Sequence, residues 1–132
     1  YDREVNEDCF SSLHPQALRG LELFNRGEYF EAHEALETAW RDETGPSREL
    51  YRGILQVAVA YYHLLRGNYP GAVKMFQRCK QWLEPFPDTC RGINLLQFRQ
   101  DLEQAEGELL RLGPQNIRHF NRGLLKTIHY NR

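Results

Sequence analysis

Apolar residues recur three and four apart along most of the chain, the spacing of one face of a helix. Ala17, Leu18, Leu21, Leu23 and Phe24 predict an amphipathic helix that opens at Pro15 and closes near Gly27. A second helix is predicted over residues 28–41, with Glu28, Glu31 and Glu34 at its electropositive start and Gly45-Pro46 beyond its end. The third, over residues 47–66, has a middle (GILQVAVAYYHLL) that is apolar on nearly every side, so it is expected at the centre of the fold. Gly67-Asn68 ends it, and a fourth helix runs from Pro70 to Leu83, before Pro85 and Pro87 break the chain. Leu95, Phe98, Leu102, Ala105, Leu109 and Leu112 predict a fifth helix, capped by Asn94 and ended by Gly113-Pro114. Ile117, Phe120, Leu124, Leu125 and Ile128 are spaced for a short sixth. Residues 1–14 hold no sustained period and read as a polar lead-in, with Val5 and Phe10 docking on the core. Alternating apolar runs and Asn-Gly turns are absent, so no strand is predicted.

The pattern also repeats. Arg26-Gly27-x-Tyr29-x-x-Ala32 recurs at one constant offset as Arg66-Gly67-x-Tyr69-x-x-Ala72, each copy at a turn between helices. Glycine permits the tight turn, tyrosine packs back on the preceding helix, and alanine lets two helices approach. The expected architecture is all-α: one domain over residues 1–132, with two tetratricopeptide-like helical hairpins over 15–83 and C-terminal helices over 94–132. Carrying the offset on once more finds Gly107 but neither the tyrosine nor the alanine, so the C-terminal part is different.

The two copies differ where the turn needs nothing. His33, Glu37 and Trp40 face Val73, Gln77 and Lys80 in the second copy. At i, i+4 and i+7 the first three share a helix face, beside a core stripe of Ala32, Leu36 and Ala39. An imidazole and a carboxylate one turn apart can chelate one cation, and a third ligand must come from elsewhere. His63 on the buried third helix is the best donor, for a divalent metal such as zinc, manganese or iron. Antiparallel packing of the second and third helices brings His63 toward His33 and Gln56 toward Trp40. Glu34, Trp40, Gln56 and Arg52 then line the pocket around the ligands. Phe30 and Ala60 stand three residues before the two histidines, which excludes the paired Glu-x-x-His of di-iron bundles. In the competing reading, His33 and Glu37 only bond each other, Arg48 or Arg52 neutralises the carboxylate, and Trp40 is core. The chain holds no G-x-S-x-G, P-loop or G-x-G-x-x-G motif, and Ser11, Ser12 and Ser47 lie where helix capping explains them. Whether the protein is an enzyme therefore stays open. The second functional class is an interaction module whose hairpins hold a partner helix or peptide.

The stretch GEYFEAHEALETAW resembles the signature of a prokaryotic family known only as domain of unknown function 309. That family's mark, His-x-x-x-Glu-x-x-Trp, is matched by His33, Glu37 and Trp40. The resemblance continues through LYRGILQVAVAYYHLLRGNYPGAVKMF (residues 50–76) and, more loosely, GINLL (residues 92–96), covering residues 17–112 in all. A helix capped by Gly-x-Asp is common in the family; here Asn94 stands for the acid. The resemblance implies an all-helical bundle and a suspected metal-binding motif. The family has no established activity to carry over.

Composition narrows the rest. Acidic and basic residues nearly balance at a formal net charge of -1, so bulk charge gives no pull toward nucleic acid or an anionic membrane. The tail is locally basic (Arg118, Arg122, Lys126 and Arg132, with His119 and His129) and reads as a solvated helix face. Cys9, Cys79 and Cys90 form no C-x-x-C pair, which predicts neither a disulfide framework nor a thiolate zinc site. A reducing, cytoplasmic setting follows from that, with Cys79 a small core residue. No apolar run approaches the roughly 18–20 residues of a membrane span. The N-terminus is polar and acidic, unlike a signal peptide. The chain opens on Tyr1 rather than Met, which predicts a missing initiator or short leader.

Overall fold

The computed structural model describes residues 2–131, and helices dominate it. They are α1 (Asp2–Asp8), α2 (Pro15–Asn25), α3 (Tyr29–Asp42), α4 (Arg48–Leu65), α5 (Tyr69–Leu83) and α6 (Leu95–Leu112). The four predicted helices from α2 to α5 pack in sequence, α2 on α3, α3 on α4 and α4 on α5. The apolar α4 is the central one, burying Leu50, Tyr51, Ile54, Val57, Ala58, Tyr61 and Leu64. Phe24, Tyr29, Tyr61, Phe76 and Phe98 meet ring against ring, so one aromatic cluster joins α2 through α6. Gly53 permits the tight α4–α5 seam, because a Cβ there would stand 2.6 Å from Leu83 Cδ2.

The repeated turns are built alike. Gly27 and Gly67 have φ of +81° and +74°, the left-handed region open to glycine. Around them Glu28 N–H donates to the Leu23 carbonyl at 2.9 Å, and Asn68 N–H donates to the His63 carbonyl at 2.8 Å. These bonds span the same interval in both copies and close each helix in a Schellman turn. Ala32 and Ala72 are fully buried in the helices that follow.

Four expectations need correction. The lead-in is not irregular: α1 lies within it and buries Val5, while Phe10 is 92% exposed rather than docked. The chain turns Cys9 inward instead, where it forms a disulfide with Cys90 across 81 residues of sequence. Its partner sits in a short hairpin, β1 (Thr89–Cys90) paired antiparallel with β2 (Ile93–Asn94), so strand is present. Arg91 and Gly92 form its two-residue turn, with φ of +50° and +80°. That is the primed turn favoured in hairpins, hidden in the sequence because arginine occupies a place where Asn or Gly is the usual sign. Finally, the tail forms 3-10 turns at Pro114–His119 and Arg122–Leu124 rather than a sixth α-helix. The Asn25 side chain brackets Ile128, donating to its carbonyl at 2.9 Å and accepting from its N–H at 2.7 Å. Those two bonds hold Ile128 outside any helical hydrogen-bond ladder. Arg132, counted in the basic tail, lies outside the described residues.

The disulfide removes the premise from which a reducing setting was argued. Cys79 is the remaining thiol, buried as expected, and burial pushes it up to about 12. Among the described residues, no helix is long and apolar enough to cross a membrane.

Candidate functional site

The helical phase of α3 puts His33, Glu37 and Trp40 on the flank that turns toward α4. His33 Nε2 lies 3.2 Å from Glu37 Oε2, with both side chains about one-third exposed. The other Glu37 oxygen takes Arg41, again one turn on, and not Arg48 or Arg52 as the network reading had it. The i, i+4 spacing makes this choice: Arg41 shares the Glu37 face of the same helix, so no fold has to form to bring it there.

His63 does not complete the pair. Its ring lies against the next turn, with Nδ1 3.2 Å from the Asn68 amide and the Cδ2 edge against Gly71. Among the described residues, no group of three or more His, Cys, Asp or Glu side chains is placed to hold a metal. For the metal expected from the sequence, His33 and Glu37 offer two donors, one of them already bonded to Arg41. Glu34 is exposed and outside the pair.

Trp40 instead anchors a stack. The Arg48 guanidinium lies 4.6 Å from the ring centroid of Trp40, and Arg52 lies at the same distance. Arg52 also covers Trp82 of α5 at 4.1 Å. Trp40 Nε1 donates to Glu49 at 3.4 Å, Glu49 holds Arg52 Nε at 2.8 Å, and Arg48 donates to the Trp40 carbonyl at 3.0 Å. The result is an Arg48–Trp40–Arg52–Trp82 ladder whose members are half-buried, so its side chains are ordered yet reachable. Each guanidinium over an indole face contributes about 0.5–1 kcal/mol or more as water is excluded. A second aromatic group continues the face toward the other end of α4: Phe30 meets Tyr62 at 5.6 Å, and Arg66 covers Tyr62 at 5.3 Å. The Gln56 amide oxygen and the Trp82 indole N–H are shut from solvent without a protein partner.

Trp82, Arg48 and Glu49 were not among the residues predicted to line the pocket. The available signal was spacing: Lys74, Arg78 and Trp82 recur four apart on α5, and that helix carries no acidic residue. Arg48 and Arg52 of α4 and Lys74 and Arg78 of α5 stand against Glu49 alone on those two helices, while Lys80 turns away to Glu106 of α6.

A second polar centre was missed altogether. Arg91, 5% exposed, donates to Asp8, Glu43, the Tyr51 hydroxyl and the Ser12 carbonyl, at distances from 2.6 to 3.2 Å. Asp8 also accepts from the Ser47 N–H at 2.8 Å and from its hydroxyl. Burial alone would raise the Asp8 and Glu43 carboxyls, but these hydrogen bonds and the Arg91 charge hold both below the usual carboxylate range. Both carboxylates and both terminal guanidinium nitrogens have partners, with Arg91 Nε alone buried without one, which marks the cluster as a structural clamp between α1, α4 and the hairpin.

Residues 17–75 match the model of a family described as a domain of unknown function (DUF309). An uncharacterised protein of Aquifex aeolicus (strain VF5) is 31% identical over 85 residues, which is 64% of this chain and 26% of that protein. The uncharacterised protein YpuF of Bacillus subtilis (strain 168) is 43% identical over 56 residues, 42% of this chain and 32% of that one. The chain thus spans less than a third of the length of these relatives.

Proposed function

We propose that this chain, whose residues 17–75 are a DUF309 domain, is a helical-repeat-like protein-interaction module that grips an acidic segment of another protein. The contact face is the α3–α5 side centred on Trp40, Arg52 and Trp82. The observation that carries the reading is the ladder itself. Tryptophan, tyrosine and arginine dominate binding hot spots, and here they are held in place before any partner arrives, which reduces the entropy lost on binding. Arg48, Arg52, Lys74 and Arg78 against Glu49 on α4 and α5 favour carboxylates in the partner. The indole faces favour one or two apolar anchors among them.

The test is competitive selection of short peptides on the whole protein, with counter-selection on Arg52→Ala. Peptides that combine Asp or Glu with an aliphatic or aromatic anchor, and that discriminate against the variant, support the reading. Peptides of no common charge that bind both proteins equally refute it.

The His33–Glu37 pair favours a second reading, a divalent cation (zinc, manganese or iron) held by these two side chains and completed by a group from a bound ligand. Titrating untagged protein with zinc or manganese by calorimetry separates the two. Binding at one site, lost in His33→Ala, favours the metal; no heat beyond dilution leaves the interaction reading.

A further inference from the structure

We propose that Cys9–Cys90 is a thiol-exchange site, attacked at Cys9 by a dithiol reductant, and that its reduction releases α1 and opens the Arg91 ion cluster. The two sulfurs are unequally placed. Cys90 is fully buried, whereas Cys9 is 7% exposed and lines an open cleft of about 540 Å³ with Asn6, Phe10, Pro87, Thr89 and Gly92. An incoming thiolate therefore reaches the Cys9 sulfur from the cleft and leaves Cys90 as the departing group. Phe10, at 92% exposure, stands as a ridge between this cleft and a second one of about 340 Å³ lined by Ser12, Leu13 and Leu18. An apolar side chain of a protein dithiol has a seat on either flank.

The exchange balances without further reagents. A thiolate of the reductant bonds to Cys9 Sγ as the Cys9–Cys90 bond breaks and Cys90 takes the electron pair. The second thiol of the reductant then displaces Cys9 from the mixed disulfide. The reductant leaves oxidised, and both cysteines take up protons.

The consequence follows from what holds α1. It is joined to the rest by the buried Val5, by Asp8 on Ser47 and Arg91, by the Arg91 N–H bond to the Cys9 carbonyl at 2.6 Å, and by the disulfide. Cutting the covalent link leaves a seven-residue helix, too short to persist alone, held by Val5 and by an Asp8–Arg91 pair no longer fastened through the residues next to it. Its departure uncovers Arg91 and Glu43. Cys79 takes no part, being buried.

The experiment treats the folded wild-type protein with dithiothreitol, without denaturant, then alkylates and maps the products by peptide mass spectrometry. The expected result is labelling of Cys9 and Cys90 but not Cys79, unchanged far-UV circular dichroism in the helical bands, and cleavage by protease within residues 1–14 faster by about tenfold or more. With glutathione in place of the dithiol, the mixed disulfide should lie on Cys9. Resistance to reduction until the protein is denatured, a mixed disulfide on Cys90, loss of the helical signal, or unchanged proteolysis of the N-terminus each overturns the proposal.

Discussion

Replacing Arg91 by Met tests the clamp that fastens α1 and the hairpin to α4. The guanidinium is 5% exposed and serves Asp8 at 3.0 Å, Glu43 at 2.6 Å and the Tyr51 hydroxyl at 2.9 Å. Met fills a similar volume but leaves Asp8 with Ser47 and Ser11 and Glu43 with the Gly45 N–H. Breaking a buried pair in this way costs about 3–5 kcal/mol at neutral pH. The cost must shrink in acid, and the sign follows from the direction of the shifts. Both folded carboxyls lie below the usual carboxylate range, so the stability they contribute is present above that range and lost as pH falls through the folded values. In Arg91→Met the Ser47 and Gly45 bonds remain but the Arg91 share is lost, so burial raises both carboxyls relative to the wild type and the variant is relieved as they take up protons. Urea unfolding followed by circular dichroism at pH 7 and at about pH 3 measures both gaps. A cost under about 1 kcal/mol at pH 7, or an equal cost at both pH values, refutes the clamp.

Three further outcomes follow from single positions. Tyr51→Phe removes an acceptor used by the His14 N–H and by Arg91, and should cost about 1–3 kcal/mol in the same urea assay. Gly67→Val meets no atom within 4 Å at its Cβ, so its cost, more than about 1 kcal/mol, comes from the backbone at φ +74° alone, and Gly27→Val should match it. Gly53→Ala drives a methyl against Leu83 and should cost about 1–3 kcal/mol by overpacking, much of it recovered in the double variant with Leu83→Ala; strict additivity would contradict a close α4–α5 approach.

What was legible in the sequence is what depends on local pattern. α2 to α6 follow from three-and-four spacing and from breakers, and the Gly27 and Gly67 turns follow from a repeat whose geometry only glycine meets easily. The His33–Glu37 contact was legible for the same reason, since one helix supplies both side chains. What depends on distant parts of the chain was not. Cys9 and Cys90 are 81 residues apart, and no local spacing announces their approach. The Arg91 cluster draws on α1, the end of α3 and the hairpin, each of which reads in isolation as a solvated charge. Trp40 and Arg52 read as pocket lining, or Trp40 as core, while Arg48 and Trp82, which complete the stack, come from the start of α4 and from α5. His63 was placed by assuming that two buried-helix neighbours must converge, whereas its ring turns to the local Asn68 amide.

The claim that the Trp40–Arg52–Trp82 ladder is a binding face has a direct optical test, because Trp40 and Trp82 are the only tryptophans of the chain. Titrate a selected acidic peptide into the wild-type protein and into Trp40→Phe with Arg52→Ala, following tryptophan emission in both, with Trp82 the remaining reporter in the double variant. The account predicts a saturable shift of emission in the wild type and an affinity at least about 100-fold weaker in the double variant, in keeping with two hot-spot side chains. An unchanged emission on binding, or an affinity within about threefold in the two proteins, contradicts it.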